Sequence, residues 1–214
     1  MKILSKFVRI LVVFGLLSSF AAAFEENKDY LILDKPLNVG QNVLVKVFSY
    51  GCKYCYRFDK SVTGKVVASI QGLEFKPYHL KTKGEFGETV SGILAAMMAL
   101  DEQSGVGLFD DKSKFKKAKF AIYRAQHDKG GLKGDKSDVI KLALKAAGVS
   151  ESDYEKALNS PRAQEILTSW DDGYDIAVIS GVPAFVVNGK YLINLSSATS
   201  IDKLSEIVKF LIAK

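Results

Sequence analysis

Strand-forming sequence stops after Lys81 in this 214-residue chain and does not return until Ala184. Everything from Glu85 to Ile179 reads as helix. Before that gap, Tyr30 to Leu33 (YLIL) reads as a short strand broken by Lys35-Pro36. Asn42 to Phe48 (NVLVKVF), β-branched and apolar, reads as a buried strand. Ser49-Tyr50-Gly51 turns into a helix from Cys52 to about Ile70, where Cys55, Phe58, Val62, Val66 and Ile70 recur at spacings of three and four. Leu73 to Lys81 is the next strand, and Pro77 within it marks an edge or a bulge. After the gap, Ala184 to Val187, the turn Asn188-Gly189 and Tyr191 to Asn194 form a hairpin. A last helix opens at Ser200 and runs through Ile212. The order is βαβ, a helical block, then ββα. The simplest fold with that order is one α/β domain whose sheet is interrupted by an inserted helical domain. Its parts are 24–84 with 180–214 for the sheet and 85–179 for the insertion.

Within the block the expected helices are Val90 to Gln103, Lys112 to Arg124, one capped by Asp135 and ended by Gly148, one capped by Ser150, and one opened by Ser160-Pro161. KSKFKKAK, Lys112 to Lys119, carries five lysines. Such a run reads first as a solvated helix face. The sharper reading is a patch that steers acidic substrates or an anionic surface. His79 sits on a strand and reads as packing rather than catalysis.

Residues 1–23 form a different kind of segment. Lys2, Lys6 and Arg9 precede the apolar run ILVVFGLLSSF, and Ala21-Ala22-Ala23 follows. This is the pattern of a secretory signal peptide cut after Ala23. The run falls short of the ~20 residues that span a bilayer. The mature protein is therefore expected to be exported and soluble. Full-length charge is +6, with 30 basic and 24 acidic residues; without the three signal cations it is 27 against 24, or +3. So mild an excess implies no nucleic-acid partner.

The chain's only cysteines, Cys52 and Cys55, lie in FSYGCKYCYRF. A structural disulfide is plausible in an exported protein, but a staple across four residues closes almost no loop and adds little stability. Two ligands do not close a zinc site, and His79 and His127 are remote in sequence. No metal or cofactor is expected. Redox chemistry remains. Cys52 stands where a strand gives way to a helix, facing unpaired N–H groups and roughly half a positive charge. Such sites favour the thiolate, stabilise the reduced dithiol and make the disulfide a stronger oxidant. Cys52 is the expected exposed nucleophile and Cys55 its buried resolving partner. Tyr50, Tyr54, Tyr56 and Phe58 surround the pair, and any exposed subset suits extended, partly apolar peptides. Pro183, after Gly181-Val182, opens a strand; by itself it reads as an ordinary trans proline, with cis as the alternative.

FSYGCKYCYRF and GVPAFVVNGKYLIN, in this order of elements, resemble the DsbA family of exported thiol–disulfide oxidoreductases across nearly the whole mature chain. The resemblance implies a thioredoxin-like fold with an inserted all-helical domain. It implies a redox pair at Cys52 and Cys55, a cis-proline at Pro183 with Val182 before it, and an apolar groove for unfolded substrates. The disulfide would pass to newly exported proteins with free thiols, and a DsbB-like membrane quinone reductase would restore it. A reductase or isomerase using the same pair, or a non-catalytic chaperone-like binder, are the alternatives. Two departures stand out. Lys53-Tyr54 replaces the family's frequent Pro-His, with Lys53 either a substitute cation or a solvated lysine. Lys46 stands where the family commonly buries an acid in the strand. Asp59 keeps an acid at helical spacing from both cysteines, as a proton acceptor for Cys55 or as an exposed helix carboxylate.

Overall fold

The computed structural model of the protein describes residues 24–214; the expected signal at 1–23 lies outside the described residues. Five strands form one mixed sheet: β1 (Tyr30–Ile32), β2 (Val43–Phe48), β3 (Glu74–His79), β4 (Ala184–Val187) and β5 (Tyr191–Ile193), in the order β1-β5-β4-β2-β3. Only β2 and β3 run parallel. The helical gap thus separates β3 from β4 in sequence, while β4 returns to pair with β2. Every residue of β2 is buried, because it lies inside the sheet and both faces are covered. Pro77 lies on the outer strand, β3. That is where a missing N–H is tolerated.

Alternation along the strands sorts side chains onto two cores. Val43, Val45, Val47, Ala184 and Val186 face the core shared with the helical block. Leu44, Phe185 and Val187 face a smaller core with Val66 and with Leu204, Ile207, Val208 and Leu211. The last four belong to the final helix, α9 (Ile201–Ile212). Asn188 and Gly189 take the left-handed turn between β4 and β5, with φ of 52° and 68°. Two consecutive positive φ angles suit the twist of the strands they join.

The single helix expected over 52–70 is two: α1 (Lys53–Ser61) and α2 (Thr63–Ala68). They break at Val62, whose φ of −119° leaves the helical range. The apolar period continues across the break because both pieces cover one side of the molecule, so periodicity did not signal it. Next come α3 (Gly87–Gln103), α4 (Lys114–Asp128), α5 (Lys136–Ala147), α6 (Glu151–Leu158), α7 (Pro161–Ser169) and, after a 3-10 turn, α8 (Gly173–Ser180). Their caps follow the sequence. Ser113, Ser150, Ser160 and Ser200 each accept an N–H in the first turn, Asp135 and Asp138 form a reciprocal capping box, and Gly148 ends α5 at φ 66°. α3 starts three residues before Val90, at Gly87, where a Cβ would lie 2.1 Å from the Lys81 carbonyl oxygen. α4 continues past Arg124 to Asp128 because its last turn finds polar partners beside the cysteines, described below.

The lysine run is not uniformly solvated. Lys112 and Lys117 are exposed, but Lys119 is buried. The start of α4 is held by Asp101, which is fully buried near the end of α3. Its carboxylate accepts the Ser113 hydroxyl (2.7 Å) and the N–H groups of Lys114 (2.8 Å) and Phe115 (2.9 Å). One acid thus satisfies two donors that a helix start leaves open. Asp101→Ala strands three donors, two of them buried, and the expected loss of stability is about 2–4 kcal/mol. Urea unfolding with an unchanged slope checks this; a loss within about 0.5 kcal/mol, the range of an ordinary surface substitution, refutes it.

Candidate active site

β2 ends at Phe48, and the turn Ser49–Gly51 delivers Cys52 as the N-cap of α1, with extended backbone (φ −85°, ψ 107°). The Cys55 N–H donates to Cys52 Sγ over 3.0 Å. No acidic side chain lies in the first turn of α1, so nothing there offsets the positive end of the helix. Cys52 and Cys55 are joined in a disulfide. Cys52 is part-exposed and Cys55 fully buried. The Val182–Pro183 peptide is cis, and the Val182 carbonyl oxygen lies 3.4 Å from Cys52 Sγ. The hairpin after the helical gap therefore brings residues 182–183 against a sulfur near the start of the chain.

A family model, the DSBA-like thioredoxin domain, matches residues 43–209. The thiol:disulfide interchange protein DsbL of Escherichia coli O6:H1 is 46% identical over 98% of this chain and 97% of its own. That of Lelliottia amnigena is 48% identical over 91% and 89%. The crystal structure of DsbL from Salmonella enterica serovar Typhimurium superposes with a TM-score of 0.87 at 48% identity, covering 90% of this chain and 99% of that one. The chain belongs to the DSBA-like thioredoxin domain family. It is a thiol:disulfide oxidoreductase of the DsbA type.

In this DsbA-type protein the turn before Cys52 is anchored from three elements. His79, at the end of β3, accepts the Tyr50 N–H at Nε2 (3.0 Å). Its hydrogen therefore sits on Nδ1, 2.7 Å from Ser91 Oγ on α3. Burial pushes the His79 imidazole down to about 3, so it is neutral. Tyr50 Oη accepts the Phe86 N–H (3.1 Å), and His127 Nε2 on α4 donates to the Tyr50 carbonyl (2.9 Å). Tyr56 stacks on Tyr123 and His127 and donates to Asp128 (2.7 Å). Of the aromatic set around the cysteines, Tyr50 and Tyr56 are thus core, and Phe58 packs toward Phe185. Only Tyr54 stands out, 65% exposed beside Lys53.

Below the pair lies a buried charge cluster. Lys46 Nζ donates to Asp59 Oδ1 (2.5 Å), to the Cys55 carbonyl (3.3 Å) and to Thr63 Oγ1 (3.4 Å). Lys119 Nζ, from α4, reaches Asp59 Oδ2 at 3.2 Å, and Tyr123 Oη donates to the same oxygen at 3.3 Å. The side chains of Lys46, Asp59 and Lys119 are 1%, 2% and 7% exposed. Asp59 is therefore not a solvated helix carboxylate. Burial alone would raise its pKa, but Lys119 and then Lys46 overcome that and hold it below the usual carboxylate range. Lys46 is pushed down to about 8 by burial, which outweighs the pull of Asp59. The cation of this buried pair comes from strand β2 and the acid from helix α1.

Sequence reasoning named Cys52, Cys55, Asp59, Val182 and Pro183; the fold sets Val182 against Cys52, and Asp59 meets the pair only through Lys46, which bridges it to the Cys55 carbonyl. It read His79 as packing, which its burial matches, but gave no role to Lys119, His127 or Asp128. A signal for Lys119 existed: Phe115, Ala118 and Ile122 recur at helical spacing and put position 119 on the apolar side. For the others the sequence carries no such signal, since their partners are remote in the chain.

His79 makes stability depend on pH. Its pKa is about 3 folded against 6.5 unfolded. Above 6.5 neither state is protonated; as pH falls from there toward 3 the unfolded state takes up the proton first, and stability is lost. His79→Gln keeps an acceptor for the Tyr50 N–H without titrating. The wild type should lose on the order of a few kcal/mol more than this variant between pH 7 and pH 4. Parallel denaturation curves for the two proteins would show that the imidazole does not stay neutral.

Proposed function

We propose that this protein is an oxidase. It donates the Cys52–Cys55 disulfide to newly exported proteins with free thiols, and a DsbB-like membrane quinone reductase reoxidises it. The observation that carries this reading is the asymmetry of the pair. Cys52 is part-exposed and accepts a helix N–H at 3.0 Å, while Cys55 is sealed. A substrate thiolate attacks Cys52 Sγ. The S–S bond breaks, Cys55 leaves as thiolate and takes a proton, and the substrate is held in a mixed disulfide at Cys52. A second substrate thiolate attacks the substrate sulfur of that bond, and Cys52 departs as a thiolate stabilised by the start of α1. Two electrons pass to the protein and one disulfide to the substrate.

Val182 and Pro183 form the wall against which an extended substrate aligns. A cleft of about 470 Å³ lined by Tyr30, Leu31, Ile179, Pro183, Leu192 and Leu195 supports this role, with Val178 (86%) and Ile179 (54%) exposed on the α8 turn beside it. Its mixed apolar and polar lining suits unfolded chains rather than one rigid ligand. Asp59, ionised between two lysines, acts as their counter-ion rather than as the proton acceptor for Cys55. The thioredoxin-like domain is 24–84 with 180–214 and the inserted domain is 85–179, supported by all five strands falling in the outer segments. Periplasmic location rests on the N-terminal pattern of residues 1–23. No helix among the described residues is long and apolar enough to cross a membrane.

Equilibration with glutathione buffers gives the direction of transfer. The pair is expected well on the oxidising side of thioredoxin, and a potential near thioredoxin's about −270 mV overturns the oxidase reading. Mixed with a reduced unfolded polypeptide, the oxidised protein should form cross-links in it. Cys52→Ser should form none, and Cys55→Ser, given an activated thiol, should accumulate the mixed disulfide.

A further inference from the structure

Resting on the oxidase reading above, we propose that Lys46 and Lys119 are positioning residues that set the redox balance of the Cys52–Cys55 pair. They do so by burying one uncompensated positive charge beneath Cys55. Two ammonium groups share the single carboxylate of Asp59, and all three side chains are closed to water. The cluster touches the redox turn directly, through Lys46 Nζ and the Cys55 carbonyl at 3.3 Å.

Among the described residues, no neighbouring element supplies a second acid. From β4 the cluster meets Phe185, whose ring centroid is 5.9 Å from Lys46 Nζ. From α2 it meets the Thr63 hydroxyl, and from α4 Lys119 and the Tyr123 hydroxyl. A cleft of about 370 Å³ opens beside Asp59 and Lys119, and its other charged lining residues are Lys60, Lys65 and Lys116. Lys116 already pairs with Asp111, and Lys60 lies over the Tyr56 ring. His79 is neutral.

The sign of the effect follows. The disulfide is uncharged, whereas the reduced pair carries a thiolate at Cys52. A buried cation therefore stabilises only the reduced form and makes the disulfide easier to give away. Surface lysines such as Lys53 act through water and are screened by salt; a buried charge is screened far less. One of the two ammonium groups comes from α4, a helix that bears no cysteine, so the helical block would take part in setting the potential as well as in packing. Lys46 titrates near 8, so its share should fade as pH rises past that value.

The test is the equilibrium constant of the pair against glutathione for wild type, Lys46→Met, Lys119→Met and Lys119→Arg, at low and high salt. Each methionine variant leaves one lysine balanced against Asp59. Each should shift the equilibrium toward the disulfide by roughly tenfold, or about 30 mV for a two-electron couple. The shift should persist in high salt. Lys119→Arg keeps the charge and should stay near wild type. The Lys46→Met difference should shrink above pH 8. If Lys46→Met does not fold, Lys119→Met and Lys119→Arg decide alone. Methionine variants within about twofold of wild type, well inside that expected shift, overturn the proposal, whatever their melting temperatures. So does an arginine variant displaced as far as the methionine one. A wild-type equilibrium like that of thioredoxin would instead sink the oxidase reading, and the differences between variants would still be readable.

Discussion

The N–H of Cys55 pointing at the sulfur of Cys52 is the contact on which this molecule turns. It exists because a strand buried on both faces stops at Phe48 and a helix begins five residues later, at Lys53. The open donors of a helix start would otherwise be met by a serine or aspartate side chain or by water. Here a sulfur takes that place. A thiolate gains more from such a donor than a disulfide sulfur does, so the same hydrogen bond that caps α1 also biases the redox pair.

Holding that contact still requires more than the helix. Tyr50 is fixed through its N–H by His79, through its carbonyl by His127 and through its hydroxyl by the Phe86 N–H. These partners come from β3, from α4 and from the start of α3. The helical block is therefore wired into the turn that presents Cys52. Its apolar residues also share one continuous core with β2 and β4.

The buried triad of Lys46, Asp59 and Lys119 is expensive to assemble. Desolvating charges costs several kcal/mol per ion, and attraction inside the protein offsets this only with good geometry. The geometry is good: Asp59 receives two ammonium groups and a phenol, and among the described residues no buried side-chain nitrogen or oxygen lacks a partner. A hydrophobic triad would fill the same space more cheaply. The charged triad's place against the Cys55 carbonyl is in keeping with perturbed ionisable groups gathering at functional sites.

Local chemistry let the sequence determine a great deal. Serine and aspartate caps, Gly148 and the Asn188-Gly189 turn placed the ends of elements, because each acts within a few residues of itself. The strand-to-helix position of Cys52 and Cys55 was legible for the same reason. Tertiary structure alone decided the break at Val62 and the extension of α4 to Asp128. It also decided that Lys46 and Asp59 are partners. Each of these depends on groups meeting across long stretches of chain, and a side chain's charge and burial are set by those meetings. A one-dimensional pattern records which residues face inward, but not which of them will share a proton or a charge once inside.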